Sequence, residues 1–315
     1  MPMTERSGPG SEDRLAGAAG DAVPRLAERR TLTNVAYRML GTLSDAEDAV
    51  QEAYARWYRL SAAQRAEIET PIAWLVRTTS RICLDMLGSA HHRRENYSGD
   101  WLPEPVPTTE LWRSDRAASA ADDPADRVTL DESVSTALLV VLDTLTPAER
   151  VSYVLHDVFG LAFTEIAETT GRSPAACRQL ATSARRRISD GASAGTVAPA
   201  DASLVAAVEH AWHARDLDRL VALFAPDVVA TTDSGGGVSA PAGPVHGAAD
   251  VARLLIDVRR RRADVSVHAT VVNGQPGLVA RSGAATLAVI ALAATRGRVS
   301  RLWIVRNPDK LAAWQ

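Results

Sequence analysis

Basic and polar side chains recur along FTEIAETTGRSPAACRQLATSARRRISD, residues 163–190, in a spacing suited to contacts with DNA. Thr164 and Ser173 predict two helix N-termini, Gly171 predicts the tight turn between the helices, and Pro174 fits a first helical position. Two helices joined by a short glycine turn are typical of the helix-turn-helix, whose second helix enters the major groove. The outward face of this second helix predicts DNA contacts from Arg172, Ser173, Arg178, Gln179, Thr182, Arg185 and Arg186.

Charge is sorted along this stretch in a way that supports the interpretation. Glu165 and Glu168 lie in the first helix, whereas the arginines all follow Gly171. Arginine suits the task because its guanidinium pairs with guanine edges and with phosphates. The alternative is an ordinary helical hairpin with a solvated basic face.

An acidic stretch lies upstream, in LSDAEDAVQE, residues 43–52. Ser44 predicts the N-cap of a helix, and Glu47 three residues later completes a capping box. An acidic helix repels DNA but suits a basic protein partner. The alternative is a solvated acidic face.

The stretch WLVRTTSRICLDMLGSAHHRRE, residues 74–95, combines an aromatic side chain with charges at helical spacing. An exposed aromatic beside arginines is typical of proteins that bind single-stranded or melted DNA. Trp74 could supply that aromatic, although a position in the core is the favoured interpretation for it. The charged candidates are Arg77, Arg81, Asp85, Arg93 and Arg94.

Composition limits the classes of protein to which the chain could belong. Its net charge of -3 argues against coating nucleic acid through bulk electrostatics. Two cysteines far apart predict neither a disulfide framework nor a zinc site, so we expect a cytoplasmic protein without metal or cofactor. The N-terminus lacks the apolar region of a secretory signal, and no apolar run is long enough to span a bilayer. Lys310 is the only lysine.

The order of predicted elements indicates a multidomain chain with two all-α domains and a C-terminal α+β domain. Glycine- and proline-rich stretches and an acidic segment mark the boundaries. The predicted units are a flexible tail (1–24), a helical domain (25–98), an acidic linker (99–127), a helix-turn-helix domain (128–190), a short linker (191–200) and the α+β domain (201–315).

An acidic helix, a basic-aromatic helix, an acidic linker and a helix-turn-helix, in this order, resemble a bacterial sigma factor of the extracytoplasmic-function (ECF) type. The resemblance is carried by YRMLGTLSDAEDAVQEAY, PIAWLVRTTSRICLD and LTPAERVSYVLHDVFGLAFTEIAETTGRSPAACRQLATSARRRI, and covers roughly residues 25–190.

The resemblance implies two partners, core RNA polymerase and promoter DNA. The first domain (sigma region 2) would bind the polymerase clamp and help to open the -10 element with the helix that carries Trp74. The second (sigma region 4) would contact the -35 element with residues 172–187, while the linker threads into polymerase. The implied polymerase contacts are Asp45, Glu47, Asp48, Gln51 and Glu52.

Three further motifs, WLPEP (101–105), DSGGG (233–237) and NPDKL (307–311), resemble the sigma-J-like subgroup. Its members carry a SnoaL-like C-terminal domain, with the cone-shaped nuclear-transport-factor-2-like fold, which is thought to tune sigma activity in cis. The subgroup's glycine motif reads Asp-Gly-Gly-Gly-Lys, whereas here Ser234 intervenes and Val238 follows without a lysine. The implied regulatory residues are Trp101, Leu102, Pro103, Asp233, Gly235, Gly236, Asn307, Pro308, Asp309, Lys310 and Leu311.

Two interpretations of residues 307–311 are open. Asn-Pro-Asp is a common way to end a strand and cap a turn. Alternatively, the motif is a latch that contacts the linker near WLPEP and fixes the spacing of the two DNA-binding domains.

The C-terminal domain leaves further functions open. A cone-shaped domain often holds an apolar pocket, which makes a small-molecule ligand a candidate partner. Acid–base catalysis would need two converging groups among His210, Asp227, Asp233, His246 and His268, and the sequence brings no two of them together. The favoured role is packing against the helical domains. The alternatives are a one-component helix-turn-helix regulator with a metabolite-binding domain, and a SnoaL-type enzyme fused to a regulatory segment.

Overall fold

The structure is a computed structural model that describes residues 26–95, 97, 99–107, 135–193, 198–262 and 264–315. The predicted tail and most of the predicted acidic linker lie outside the described residues, as do the side chains of residues 26–27, 89–95, 191–193 and 259. The first helical domain contains α1 (Leu26–Leu40), α2 (Leu43–Arg59), α3 (Ala62–Ala66) and α4 (Pro71–Glu95).

The second helical domain contains α5 (Thr136–Asp143), α6 (Pro147–Tyr153), α7 (Phe163–Thr170) and α8 (Pro174–Ser193). A π-helical turn, Val154–Val158, continues α6. The start of α6 is strongly specified, since Thr146 and Glu149 form a capping box and Pro147 takes the first helical position.

Two predicted N-caps are wrong by two residues. Thr42, not Ser44, caps α2 and accepts a hydrogen bond from the Asp45 amide. At α7, the Glu165 carboxylate accepts from the Ala162 amide, ahead of the predicted cap Thr164. At α2 two hydroxyl residues stand close together, and Thr42 takes the extended backbone of the cap. At α7 the cap position is Ala162, which has no side-chain acceptor, and Glu165 supplies the hydrogen bond instead.

The two helical domains share one hydrophobic core. Leu32 and Val35 of α1 belong to the same buried cluster as Leu142, Leu155 and Ile166 of the second domain. A buried guanidinium reinforces the contact, because Arg150 donates to the Met39 carbonyl at 2.9 Å and to the Asp143 carboxylate at 2.8 Å. Regions predicted to contact separate DNA elements are therefore packed together.

The C-terminal domain places three helices on a mixed sheet. The helices are α9 (Ala202–Ala214), α10 (Leu217–Leu223) and α11 (Ala248–Arg261). The strands are β1 (Ala198–Pro199), β2 (Phe224–Asp233), β3 (Val245–His246), β4 (Val265–Val272), β5 (Gln275–Ser282), β6 (Ala285–Thr295) and β7 (Arg298–Val305). Their order is β3-β2-β7-β6-β5-β4, with β2 and β7 parallel and β1 paired to β6.

Both faces of the central strands are buried, which explains why β6 has a nearly continuous apolar sequence. Ile290 and Leu292 face the helices of the domain, whereas Val289 and Ala293 alternate onto the opposite face. That opposite face packs against Leu102 and against partly buried side chains of α5. The sheet is thus sandwiched between its own helices and the preceding domains.

Both cysteines, Cys83 and Cys177, are buried free thiols. Among the described residues, no helix combines the length and apolar character needed to cross a membrane.

Candidate functional site

The second helix of the helix-turn-helix exposes all seven predicted DNA contacts. Its N-terminus is built as predicted, because Gly171 adopts the left-handed conformation and the Ser173 hydroxyl accepts from the Ala176 amide. Arg178 lies over the Phe163 ring of α7, with 5.2 Å between guanidinium carbon and ring centroid. Arg185 is already engaged, since it donates to the Asp157 carboxylate at 2.6 Å. The face is open to solvent and basic.

The acidic residues of α2 differ in how free they are. Glu47, Asp48 and Gln51 are exposed. Asp45 instead accepts from the Thr42 hydroxyl at 2.7 Å. The carboxylate of Glu52 pairs with Arg56 at 2.8 Å, and that hydrogen bond lowers the pKa of Glu52. The surface available to a basic partner is therefore centred on Glu47, Asp48 and Gln51.

The aromatic and basic residues of α4 also have unequal surroundings. Trp74 is half-buried and packs edge-on against Trp57, with ring centroids 5.3 Å apart. Arg77 donates to Glu168 of α7 at 2.7 Å, so a residue predicted to contact the -10 element is paired with the helix-turn-helix domain. Arg81 and Asp85 are exposed. The side chains of Arg93 and Arg94 lie outside the described residues.

The linker segment, residues 99–107, is inserted between the first helical domain and the C-terminal domain. On the helical side, the Glu104 amide donates to the Gly41 carbonyl at 2.9 Å. The Glu104 carboxylate accepts from the Leu43 amide at 2.7 Å, and its carbonyl accepts from the Tyr37 hydroxyl at 2.5 Å. Burial raises the pKa of Glu104. Its side chain thus satisfies an otherwise unpaired amide at the start of α2.

On the other side, the linker segment pairs with the C-terminal domain almost as an additional strand. Asn273, at the β4–β5 turn, exchanges two hydrogen bonds with Val106, at 2.6 and 2.9 Å. The side-chain nitrogen Nδ2 of Asn273 also donates to the Thr136 hydroxyl of α5 at 3.2 Å. The Trp314 indole donates to the Pro105 carbonyl at 2.8 Å. These contacts join all three domains at the linker.

The only lysine of the chain lies at the centre of this junction. The Lys310 ammonium, 6% exposed, donates to the Leu102 carbonyl at 2.6 Å and to the Asp233 carboxylate at 2.7 Å. It also lies 4.2 Å from the centroid of the Trp101 ring, a cation–π distance. A lysine fits here because its compact ammonium can be enclosed between a carbonyl, a carboxylate and an indole ring, whereas a guanidinium is larger and planar.

Asp233 is fully buried, and both of its carboxylate oxygens are occupied. One oxygen accepts from the Tyr97 hydroxyl at 2.6 Å and from the Gly235 amide at 3.1 Å. The other accepts from Lys310 and from the Leu102 amide at 2.9 Å. Burial and the hydrogen bond to Asp233 raise the pKa of Tyr97. Asp233, at the end of β2, and Lys310, near the C-terminus, therefore both contact the backbone of Leu102 in the linker segment.

The NPDKL motif forms the predicted turn cap and also makes the linker contact that the latch interpretation requires. Its effect on the spacing of the DNA-binding domains stays a prediction. Asn307 caps the turn Pro308–Lys310 by accepting from the Asp309 amide, and its side chain donates to the Tyr97 hydroxyl at 2.9 Å. Lys310 supplies the predicted contact with the linker.

The remaining predicted regulatory residues divide by burial. Leu102, Pro103 and Leu311 are buried, whereas Gly235, Gly236, Pro308 and Asp309 are exposed.

Two glycines are required by close approaches at this junction. A Cβ atom on Gly41 would lie 2.7 Å from the Trp101 indole, and one on Gly235 would lie 2.6 Å from Asn307. Both residues have positive φ, at 81° and 64°. Only glycine combines that backbone with the absence of a side chain.

An apolar cavity lies between the helices and the sheet of the C-terminal domain. Its lining includes Trp212, Leu255 and Ile290, with Arg262 and Arg306 also contributing. None of the five titratable candidates predicted for acid–base chemistry lines it, and among these five only Asp233 is buried. The small-molecule ligand stays a prediction.

Sequence reasoning missed several residues of the junction. Tyr97, Glu104, Asn273 and Trp314 each make a buried or partly buried hydrogen bond at the junction of the linker segment and the neighbouring domains. Glu104 could have been predicted, because it lies within the WLPEP motif. The other three carry no local signal, because their partners are 136 or more residues away in sequence.

Replacing Gly41 by alanine should destabilise the chain beyond the cost of backbone strain. The matched control is Gly160→Ala, since Gly160 also has positive φ but nothing within 4 Å of an added Cβ. We expect roughly 1 kcal/mol from strain in both variants and about 1–3 kcal/mol more for Gly41→Ala, measured by urea unfolding. Equal losses in the two variants would mean that Trp101 does not pack on Gly41.

A double-mutant cycle on the buried pair should show strong coupling. Lys310→Met leaves the buried Asp233 carboxylate without its counter-charge, so we expect a loss of about 3–5 kcal/mol in unfolding free energy. Lys310→Met combined with Asp233→Asn should cost less than the two single changes together. The exposed pair Arg253–Asp250 is the control and should contribute about 0–1 kcal/mol. Additive losses at the buried pair would contradict the geometry described here.

Comparison with known proteins relates each part of the chain to a described family. Residues 26–93 match the model for Sigma-70 region 2, residues 135–188 match Sigma-70, region 4, and residues 205–306 match the SnoaL-like domain.

Relatives match over nearly the whole chain. The ECF RNA polymerase sigma factor SigJ of Mycobacterium tuberculosis (strain H37Rv) is 39% identical over 90% of each chain. The probable ECF RNA polymerase sigma factor SigI of M. tuberculosis (strain CDC 1551) is 38% identical over 90% of this chain and 92% of the relative. The crystal structure of M. tuberculosis SigJ superposes with a TM-score of 0.69 at 36% identity, over 91% of this chain and 96% of that one. The chain therefore belongs to the ECF RNA polymerase sigma factors, in the group whose sigma regions are followed by a SnoaL-like domain.

Proposed function

We propose that this sigma factor is held in a closed resting arrangement by its own SnoaL-like domain, through the clamp formed by Asp233, Lys310 and the linker segment. As a sigma factor, the chain gives core RNA polymerase its promoter recognition and starts transcription. The observation that carries the proposal is the Lys310 ammonium, which joins the C-terminal domain to the linker between the two sigma regions.

The closed arrangement conflicts with simultaneous contact to both promoter elements. The -10 and -35 elements lie about 25 base pairs apart, or about 85 Å along B-form DNA at 3.4 Å per base pair. In the structure, Arg77 of region 2 and Glu168 of region 4 are 2.7 Å apart. Regions 2 and 4 must therefore separate before both can bind.

Separation would also release a DNA-binding group. Arg77 is proposed to contact the -10 element, and Glu168 neutralises its guanidinium in the closed state. The pair is partly exposed, with side-chain exposures of 39% and 64%, so it adds little stability by itself. The shared core and the clamp supply most of the resistance to opening.

Polymerase can engage the closed state first. We assign the first contact to three exposed residues of α2, the acidic Glu47 and Asp48 and the neutral Gln51, because Asp45 and Glu52 are already engaged within the chain. A sigma factor seated on polymerase through α2 could then open, with region 4 moving toward the -35 element. The one-component regulator is not favoured, because it leaves this acidic surface without a role.

The clamp predicts that loosening it raises transcription. In run-off assays with core polymerase and a cognate promoter, Lys310→Met should give several-fold more transcript than the wild-type chain, since each 1.4 kcal/mol taken from the closed state shifts the equilibrium tenfold. A point variant is preferable to deletion of the domain, which would expose Leu102 and Val106. Arg253→Met, on the same domain but away from the clamp, is the control. Equal or lower output from folded Lys310→Met would refute the closed-state proposal.

The assignment of Arg178 to the major groove of the -35 element predicts a loss of promoter affinity and selectivity. Arg178→Ala should weaken binding of the polymerase–sigma complex to promoters by about 1–3 kcal/mol and relax selectivity within the -35 element, if Arg178 contacts a base edge. Arg219→Ala, an exposed arginine of the C-terminal domain, is the matched control. A uniform loss across -35 sequences would assign Arg178 to phosphate contact instead.

A further inference from the structure

Three side chains with metal-ligand chemistry meet on the outside of the C-terminal domain. They are Glu209 and His213 of α9 and His268 of β4, and their ligand atoms all lie within 4.8 Å of one another. The two histidines are exposed and the glutamate is half-buried. None of the three contributes to the clamp, the cavity or the DNA-binding face.

The fold places these residues together from two elements. Glu209 and His213 are four positions apart, which puts their side chains on one face of α9. His268 lies on the strand against which α9 packs, 55 residues further along the chain. The two imidazole rings are 6.1 Å apart between centroids and inclined at 52°.

One ligand is oriented by a neighbouring backbone group. His213 Nε2 lies 2.5 Å from the carbonyl oxygen of Val267, so Nε2 carries the proton and donates it. The Nδ1 lone pair of that tautomer is then the one that a metal ion takes. Metal-bound histidines characteristically have such a partner on the second ring nitrogen.

The scaffold on both sides is anchored in the core. Trp212 precedes His213, is 2% exposed, and donates from its indole to the Leu255 carbonyl at 2.7 Å. Val267 precedes His268 and is fully buried. Ligands that follow buried residues on a packed helix and strand need only side-chain rotations to converge.

We propose that Glu209, His213 and His268 form a Zn²⁺ site that cross-links α9 to β4. Two imidazoles and one carboxylate are a donor set suited to Zn²⁺. Tetrahedral Zn²⁺ with bonds of about 2.1 Å requires donors about 3.4 Å apart, a modest contraction from the present spacing. Because the site is exposed, water completes the coordination.

The test is Zn²⁺ binding to the full-length, tag-free chain, measured by isothermal titration calorimetry. We expect one Zn²⁺ ion per chain and a rise in Tm. His268→Ala and Glu209→Gln should each weaken binding about tenfold or more. Co²⁺ in place of Zn²⁺ should give the intense visible absorption of a tetrahedral ion, and His268→Ala should abolish it.

The matched control is His210→Ala, which removes a histidine of the same helix that is not part of the cluster and should leave Zn²⁺ affinity within twofold. Equal affinity of the wild-type chain and His268→Ala would overturn the proposal, since the ion would then be held elsewhere. Absence of stoichiometric binding to the wild-type chain would overturn it as well. Both results concern Zn²⁺ binding only, so neither bears on the proposed closed state held by Asp233, Lys310 and the linker segment.

Discussion

The ammonium of Lys310 is the group on which the arrangement of the three domains depends. A buried ammonium costs several kcal/mol unless charge and hydrogen bonds compensate. Here the compensation comes from Asp233, from the Leu102 carbonyl and from the Trp101 ring. Asp233 belongs to the same domain as Lys310, whereas the Leu102 carbonyl and the Trp101 ring belong to the linker, so the contacts that bury the ammonium form only when the C-terminal domain is docked on the linker. A buried ion pair adds modest net stability, but it specifies one arrangement strongly.

This constraint reaches the DNA-binding surfaces through the linker segment. Glu104 ties that segment to the start of α2, and Asn273 ties it to both the sheet and α5. Docking of the C-terminal domain therefore favours the packing of region 2 on region 4. We propose that the domain influences DNA binding indirectly, by stabilising one state of a conformational equilibrium.

Sequence patterns predicted the surfaces well and the junction only in part. The helix-turn-helix face followed from local spacing, and its seven predicted DNA-contact residues are exposed, while their contact with DNA stays a prediction. The contact between NPDKL and the linker was predicted, and the only lysine of the chain lies in it. Tyr97, Asn273 and the cluster at His213 were missed because their partners are distant in sequence. The cap of α2 was misplaced because Thr42 and Ser44 are both capping residues, and the cap of α7 was misplaced because its cap position, Ala162, has no capping side chain.

The central claim is that regions 2 and 4 are packed together in the free chain and separate on the promoter. It is tested most directly by a distance measurement between spin labels at Ser61→Cys and Ser189→Cys, both exposed positions, while Cys83 and Cys177 stay buried. We expect one narrow distance distribution in the free chain and a distance longer by tens of ångströms in the promoter complex, given elements about 85 Å apart. The same distance in an active promoter complex as in the free chain would contradict the account.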